Sequence, residues 1–141
     1  QLIAGAMNGK TKTLPGLADP NLGLLEGLLE QDMAERYPKR YRQWREDPGS
    51  LVPPEGEPFN EARARILRAV ARLFKRSRAE GIGLVLHPIG LGMLRCWLAD
   101  APLSSLWEMM NERPRVEVYA LPVELVDRLL EDAVVESAAG A

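Results

Sequence analysis

Apolar side chains recur at spacings of three and four along much of the chain and give way elsewhere to short alternating or continuous apolar runs, a pattern that predicts helices interleaved with strands. Between Leu24 and Arg36, Leu25, Leu28, Leu29 and Met33 form one stripe opposite Glu30, Gln31, Glu35 and Arg36, so this segment reads as an amphipathic helix. Tyr37-Pro38 should end it, because the residue before proline avoids helical dihedrals. A short charged and aromatic helix, Lys39 to Glu46, runs into a proline-rich loop from Asp47 to Pro58. The clearest periodicity lies between Phe59 and Ala79, where Phe59, Ala62, Ile66, Val70 and Leu73 share a face while Arg63, Arg65, Arg68, Arg72, Arg76 and Arg78 sit mostly off it. Leu84-Val85-Leu86 is a continuous apolar run, the signature of a strand covered on both faces as in parallel α/β sheets. Leu91 to Leu98 reads as a buried helix, Ser104 to Met110 as a short helix capped by Ser104, Val116 to Leu121 as an alternating strand and Pro122 to Glu136 as a last amphipathic helix. At the other end, Thr11 to Leu14 suits a brief strand closed by Pro15-Gly16, and Gln1 to Met7 the closing turns of a helix stopped at Asn8-Gly9.

This inventory is short of strands. A fully apolar strand needs neighbours on both edges, yet only one other good strand and one weak one are present. Either the strands pair with another copy of the chain, or their partners precede Gln1. An opening that begins mid-helix without an initiator methionine favours the second, so residues 1–141 are expected to be a single domain forming the C-terminal portion of a larger one.

Composition narrows the function classes. With 46% hydrophobic and 27% charged residues in 141, the chain is one globular domain with a real core, not a multidomain enzyme. Eighteen basic and twenty acidic residues leave a formal charge of −2, so there is no summed positive field to attract nucleic acid or an anionic membrane. No stretch approaches the roughly 18 apolar residues of a membrane span, and no basic leader marks a signal peptide, so a cytoplasmic location is expected. A single cysteine, Cys96, excludes a disulfide framework and a cysteine-based zinc site. Nothing implies a metal or a cofactor. The single histidine, His87, carries any imidazole chemistry alone.

His87 follows the apolar run Leu84 to Leu86, and ligands in open α/β sheets bind beyond the carboxyl ends of strands. Its segment, His87-Pro88-Ile89-Gly90-Leu91-Gly92, carries two glycines that let a backbone approach an anion before a helix begins. The competing reading is a hydrogen-bonded structural histidine. Glycine spacing does not choose between them, since this is neither a Walker loop nor a dinucleotide fingerprint.

The ordered series Gly23-Leu24-Leu25-Glu26-Gly27-Leu28, Arg36-Tyr37-Pro38, Trp44-Arg45-Glu46-Asp47-Pro48, Pro53-Pro54-Glu55-Gly56-Glu57, an Arg-rich helix containing Arg65, and Leu84-Val85-Leu86-His87 resembles the histidine phosphatase superfamily, which includes the cofactor-dependent phosphoglycerate mutases. That family typically reads G-x-W-E-G-L, E-R-Y-P, G-E-S and V-S-H-G-G through the same region. The resemblance runs from about Gln1 to Leu121. It implies a three-layer α/β/α phosphoglycerate mutase-like fold with a mostly parallel sheet. It also implies phosphoryl transfer through a phosphohistidine, in which an N-terminal R-H-G histidine is the nucleophile, a second histidine and arginines grip the phosphate, and an acidic residue protonates the leaving oxygen. By this resemblance His87 corresponds to the second histidine, Asp19 to the proton donor and Glu57 to the glutamate of G-E-S; Glu57, and Gly90 as one of the two glycines that let a backbone approach an anion, are then the substrate-binding candidates.

Departures accompany these matches. No R-H-G occurs, so the nucleophile and the N-terminal strand are expected outside the chain and the 141 residues alone are expected to be inactive. The glycine after the second histidine is Pro88, which has no amide hydrogen, the tryptophan of G-x-W-E-G is Leu25, and the serine of G-E-S is Pro58. The leading expectation is a phosphatase acting on a phosphorylated small molecule or phosphoprotein. Its rival is a catalytically degenerate member that binds a phospho-ligand or a protein, and a third reading is a small α/β interaction domain that dimerises through its sheet edge. For the remaining features the simpler readings are a solvated arginine face, core filling by Met93, Met109 and Met110, a buried Cys96 thiol, and packing of Tyr37, Tyr41 and Trp44 rather than a substrate lid.

Overall fold

The computed structural model describes residues 11–77, 81–111 and 116–139. Among the described residues six α-helices carry the architecture: α1 (Glu30–Arg36), α2 (Pro38–Glu46), α3 (Phe59–Arg76), α4 (Pro88–Leu98), α5 (Leu106–Asn111) and α6 (Val123–Ala139). Short 3-10 turns at Pro15–Leu17, Gly23–Leu25, Pro48–Ser50 and Leu103–Ser105 link them. Proline opens α2 and α4, where its missing N–H costs nothing and its fixed φ suits the first turn.

α3 is the spine. Its apolar face divides between two cores: Phe59, Ala62 and Ile66 join Leu25, Met33, Leu51, Met93, Cys96, Leu103 and Leu106, whereas Leu67, Val70 and Ala71 join Leu94, Trp97 and Leu129. It packs along α6 on one side and across α4 on another, and the turn at Pro15–Leu17 lies against it. Gly16 permits that approach, since a Cβ there would sit 2.7 Å from the Ala69 Cβ. Trp44 on α2 meets Phe59 edge-on at 6.0 Å and Trp107 on α5 at 4.4 Å, so the charged helix is pinned by aromatics.

The expected parallel sheet is absent: among the described residues there is no strand. Residues 81–87 carry no regular secondary structure; Leu84 and Leu86 pack on the second core, but Val85 is 80% exposed and the segment belongs to no ladder. The alternating segment 116–121 is likewise irregular, with Val116 and Val118 exposed and Glu117 held by the buried Arg95 at 2.8 Å. Thr11 to Leu14 makes no strand either. A strand exists only through hydrogen bonds to a neighbour, so apolar alternation without an adjacent backbone leaves extended coil. The α/β/α, mostly parallel description is therefore corrected to a helical packing around α3.

Helix boundaries also shift. The stripe from Leu24 to Met33 is preceded by Gly23 and interrupted by Gly27, both with positive φ (54° and 74°), and α1 begins only at Glu30. Ser104 lies inside the 3-10 turn rather than capping α5. The expected helix at Gln1 to Met7, its stop at Asn8-Gly9, and the end of the arginine helix at Arg78 and Ala79 lie outside the described residues.

Candidate active site

Two loops that the sequence presents separately are fastened together beside the N-terminus of α4. The Asn21 side chain accepts from the Gly23 amide at 2.8 Å, an Asx turn that presents the Leu24 amide to Pro54 O at 2.9 Å. The Glu57 amide in turn donates to Asn21 O at 2.7 Å. Gly23 is required here: its φ is +54°, and a Cβ would overlap Pro54 O. The G-x-x-E-G and P-P-E-G-E motifs thus form one layer.

Asp19 leads out of this layer toward His87. Its Oδ1 accepts the Gly90 amide at 2.6 Å, across 71 positions of sequence. Gly90 is the third residue of α4, and the first-turn amides of a helix have no intrahelical partner. His87, at the cap position, makes no side-chain capping bond, so a distant aspartate caps the helix that the histidine begins. The His87 side chain is exposed, Leu86 and Ile89 on either side of its Pro88 pack on the core, and its carbonyl accepts from Leu91 at 2.9 Å. The Asp19 Oδ2 has no hydrogen-bond partner among the described residues.

Arg65 locks the loop that carries Asp19. Its Nε and Nη2 grip Glu57 Oε1 and Oε2 at 2.7 and 2.6 Å, a bidentate pair. The remaining donors reach three successive parts of the loop: Nη1 donates to Gly16 O and Ala18 O at 3.0 Å each, and Nη2 to Asp19 O at 3.5 Å. The hydrogen bond to Glu57 holds the guanidinium even more firmly charged than usual, against the opposing effect of burial.

Of the residues singled out from sequence, the fold brings His87, Asp19 and Gly90 to one place. Glu57 stands beside them, but both of its oxygens are committed to Arg65, and the Gly90 amide is committed to Asp19. Arg65, which the resemblance names only through the Arg-rich helix containing it, has no site role in the sequence reading and falls with the supposedly solvated arginine face. The signal was its register, since position 65 lies one turn from Ala62 and from Ala69, at the edge of the buried stripe. Arg72 and Arg76 are exposed as expected. Tyr37, Tyr41 and Trp44 pack against the first core, Met93 is fully buried, and Met109 and Met110 lie partly buried against it. Cys96 is buried, and burial pushes its thiol pKa up.

A cleft of about 490 Å³ lies at the far end of α4, lined by Arg63, Trp97, Asp100, Pro102, Arg128 and Asp132. At about 1.5 Å of rise per residue it sits roughly 15 Å from His87. Arg128 pairs with Asp100 at 3.2 Å and covers the Trp97 ring at 4.9 Å, and Asp132 accepts from Trp97 at 2.9 Å, whereas the Nε atoms of Arg63 and Arg128 are buried with no hydrogen-bond partner among the described residues. Among the described residues no helix is long and apolar enough to cross a membrane.

Comparison with known proteins shows what this sequence is similar to. A sequence model described as histidine phosphatase superfamily (branch 1) matches residues 1–124. Phosphoserine phosphatase 1 of Hydrogenobacter thermophilus is 26% identical over 105 residues, 74% of this chain and 50% of that protein. Adenosylcobalamin/alpha-ribazole phosphatase of Salmonella typhimurium is 29% identical over 100 residues, 71% of this chain and 50% of the relative. A bifunctional protein of Mycobacterium tuberculosis is 30% identical over 93 residues, 66% of this chain and 25% of the relative. The chain thus spans half or less of the length of these proteins.

Proposed function

The chain belongs to the histidine phosphatase superfamily, branch 1, and we propose that the protein hydrolyses phosphate monoesters of small molecules, with its phosphate pocket built on His87 and its leaving-group acid at Asp19. The observation that carries this reading is the meeting of Asp19 with Gly90, three residues past His87, across 71 positions of sequence. An acid and an imidazole gathered at a helix N-terminus suit a dianionic phosphoryl group, since the helix end favours negative charge and the imidazole can donate a hydrogen bond to a phosphate oxygen. His87 is the sole histidine of these residues, so this reading needs a second histidine as the nucleophile that becomes phosphohistidine, and the family's R-H-G motif is the one proposed for it. Two relatives are phosphatases of small phosphorylated molecules by name, which supports that substrate class. A cytoplasmic location fits such substrates.

The test uses the full-length protein with 4-nitrophenyl phosphate and a panel of small phosphate monoesters, alongside His87→Ala. Turnover that falls at least a hundredfold in the variant is expected from loss of the phosphate-holding imidazole. Turnover that is unchanged by His87→Ala refutes the assignment.

One observation favours a second reading, a degenerate member that binds a phospho-ligand without turning it over. Pro88 brings no amide to the first turn of α4 and the Gly90 amide is already taken by Asp19, so two of the backbone donors nearest His87 are not offered to phosphate. An intact protein that binds inorganic phosphate by calorimetry and yet hydrolyses none of the panel establishes this alternative.

A further inference from the structure

We propose that Arg65, oriented by Glu57, is the positioning residue of this site: it sets the loop Gly16–Asp19 and thereby the direction in which the Asp19 carboxyl offers its proton. The inference rests on the reading of Asp19 as leaving-group acid. It differs from treating Glu57 as a substrate ligand, because both Glu57 oxygens are consumed within the protein.

The loop has little of its own to hold it. Between Leu14 and Asp19 its internal backbone bonds are those from Leu17 to Leu14 O and from Ala18 to Pro15 O, at 3.0 and 3.1 Å. The carbonyls of Gly16, Ala18 and Asp19 instead converge on one guanidinium. That guanidinium is borne by the middle of α3, whose neighbours Ala64, Ile66 and Leu67 are all buried, so its base is fixed by both cores. Glu57 fixes its rotation, and a planar fork with five donors is the only side chain that could serve all of these acceptors at once. At its outer end Asp19 is tied by Oδ1 to Gly90. Backbone held from one side and Oδ1 from the other leave Oδ2 as the oxygen free to face a substrate.

In the step itself the phosphorus–oxygen bond of the ester breaks as the phosphoryl group passes to the nucleophilic imidazole nitrogen. The electron pair remains on the leaving oxygen, which takes the proton from the neutral form of Asp19, reached by uptake of one proton from solvent before the step, and Asp19 returns to the carboxylate that caps α4. A misdirected acid therefore harms only esters whose leaving oxygen needs that proton.

This gives the test a readout that a merely structural role does not move. In the full-length protein, kcat/KM is measured for 4-nitrophenyl phosphate, whose phenolate departs unaided, and for phenyl phosphate, whose oxygen does not. Arg65→Lys keeps the charge and loses the fork; it should lower phenyl phosphate turnover by roughly ten- to a hundredfold and 4-nitrophenyl phosphate turnover by less than about threefold. Asp19→Asn should show the same split, and adding Arg65→Lys to it should change little further. Glu57→Gln, which keeps the shape of the pair, provides the second variant should Arg65→Lys fold poorly, and the Gly90 amide resonance should move in each. Equal loss on both esters in an active, folded protein, or a Gly90 amide unmoved by Arg65→Lys, overturns the proposal alone. Absence of turnover of either ester by the unaltered protein overturns the phosphatase reading, and this proposal with it.

Discussion

Replacing Gly90 by alanine sets two effects of opposite sign against each other, and the geometry decides between them. Alanine is the better helix residue, and the exchange within α4 should contribute about 0.5–1 kcal/mol of stability. The added Cβ, however, would lie 3.1 Å from Asp19 Oδ1 and 3.4 Å from Ile66 Cδ1. Ile66 is fully buried and cannot retreat, so the carboxylate must. Its 2.6 Å bond from the Gly90 amide is of the charged class, about 1.5–3 kcal/mol, and the favourable field at the helix N-terminus is weakened as well. The loss exceeds the gain, and a net destabilisation of roughly 1–2 kcal/mol is expected. Urea denaturation of the unaltered protein, Gly90→Ala, Asp19→Ala and the double variant measures it as shifts in midpoint at constant m. With Asp19 removed, Gly90→Ala should turn stabilising by about 0.5–1 kcal/mol, which makes the two sites strongly non-additive. If alanine stabilises equally in both backgrounds, Asp19 does not cap α4 in solution and the site as described is wrong.

Other expectations follow from the packing and from Cys96. Phe59→Ala should cost about 3–5 kcal/mol, because the ring is fully buried and carries Trp44; denaturation should show the loss, and near-UV circular dichroism a weakened tryptophan signal. Gly92→Ala should lower Tm, since a Cβ there meets Leu106 Cδ1 at 2.7 Å and Met110 Cγ at 2.8 Å, and overpacking of about 1–3 kcal/mol outweighs the helix gain. The Cys96 thiol should resist a disulfide reagent at mildly alkaline pH until denaturant is added. Burial raises its pKa while Arg63 opposes this, so at any given pH the native chain holds less thiolate than the unfolded chain. Rapid labelling of the native protein refutes that burial.

Helices were legible in the sequence where their periodicity is self-sufficient. α3 was visible because a helix satisfies its own backbone, so Phe59, Ala62, Ile66 and Val70 need only something apolar to face. The extended segments were not legible in the same way. Leu84 to Leu86 and Val116 to Leu121 carry strand patterns, but a strand's hydrogen bonds belong to a neighbouring backbone, and no pattern within a segment states whether one is adjacent. The stripe from Leu25 to Met33 failed for a local reason: two glycines held at positive φ outweigh apolar spacing, and one of them, Gly23, is held there by contact with a loop some thirty residues away.

The site divides along the same line. His87 and Asp19 could be named in advance because the resemblance attaches a role to each motif, yet the hydrogen bond that joins them is a fact of three dimensions. Arg65 shows why the remainder stayed hidden. Its neighbours along the helix are other arginines, Arg63 and Arg68 half-buried and Arg72 and Arg76 facing water, and charge alone does not tell it from them. What separates it is a one-turn offset toward the buried stripe and a carboxylate eight positions earlier, outside the helix, where no helical spacing rule applies. A partly buried arginine with acceptors for all of its donor-bearing nitrogens is costly to desolvate and is weak evidence for stability by itself. Its retention makes sense when what it fixes must be fixed, and what Arg65 fixes is the backbone beneath Asp19.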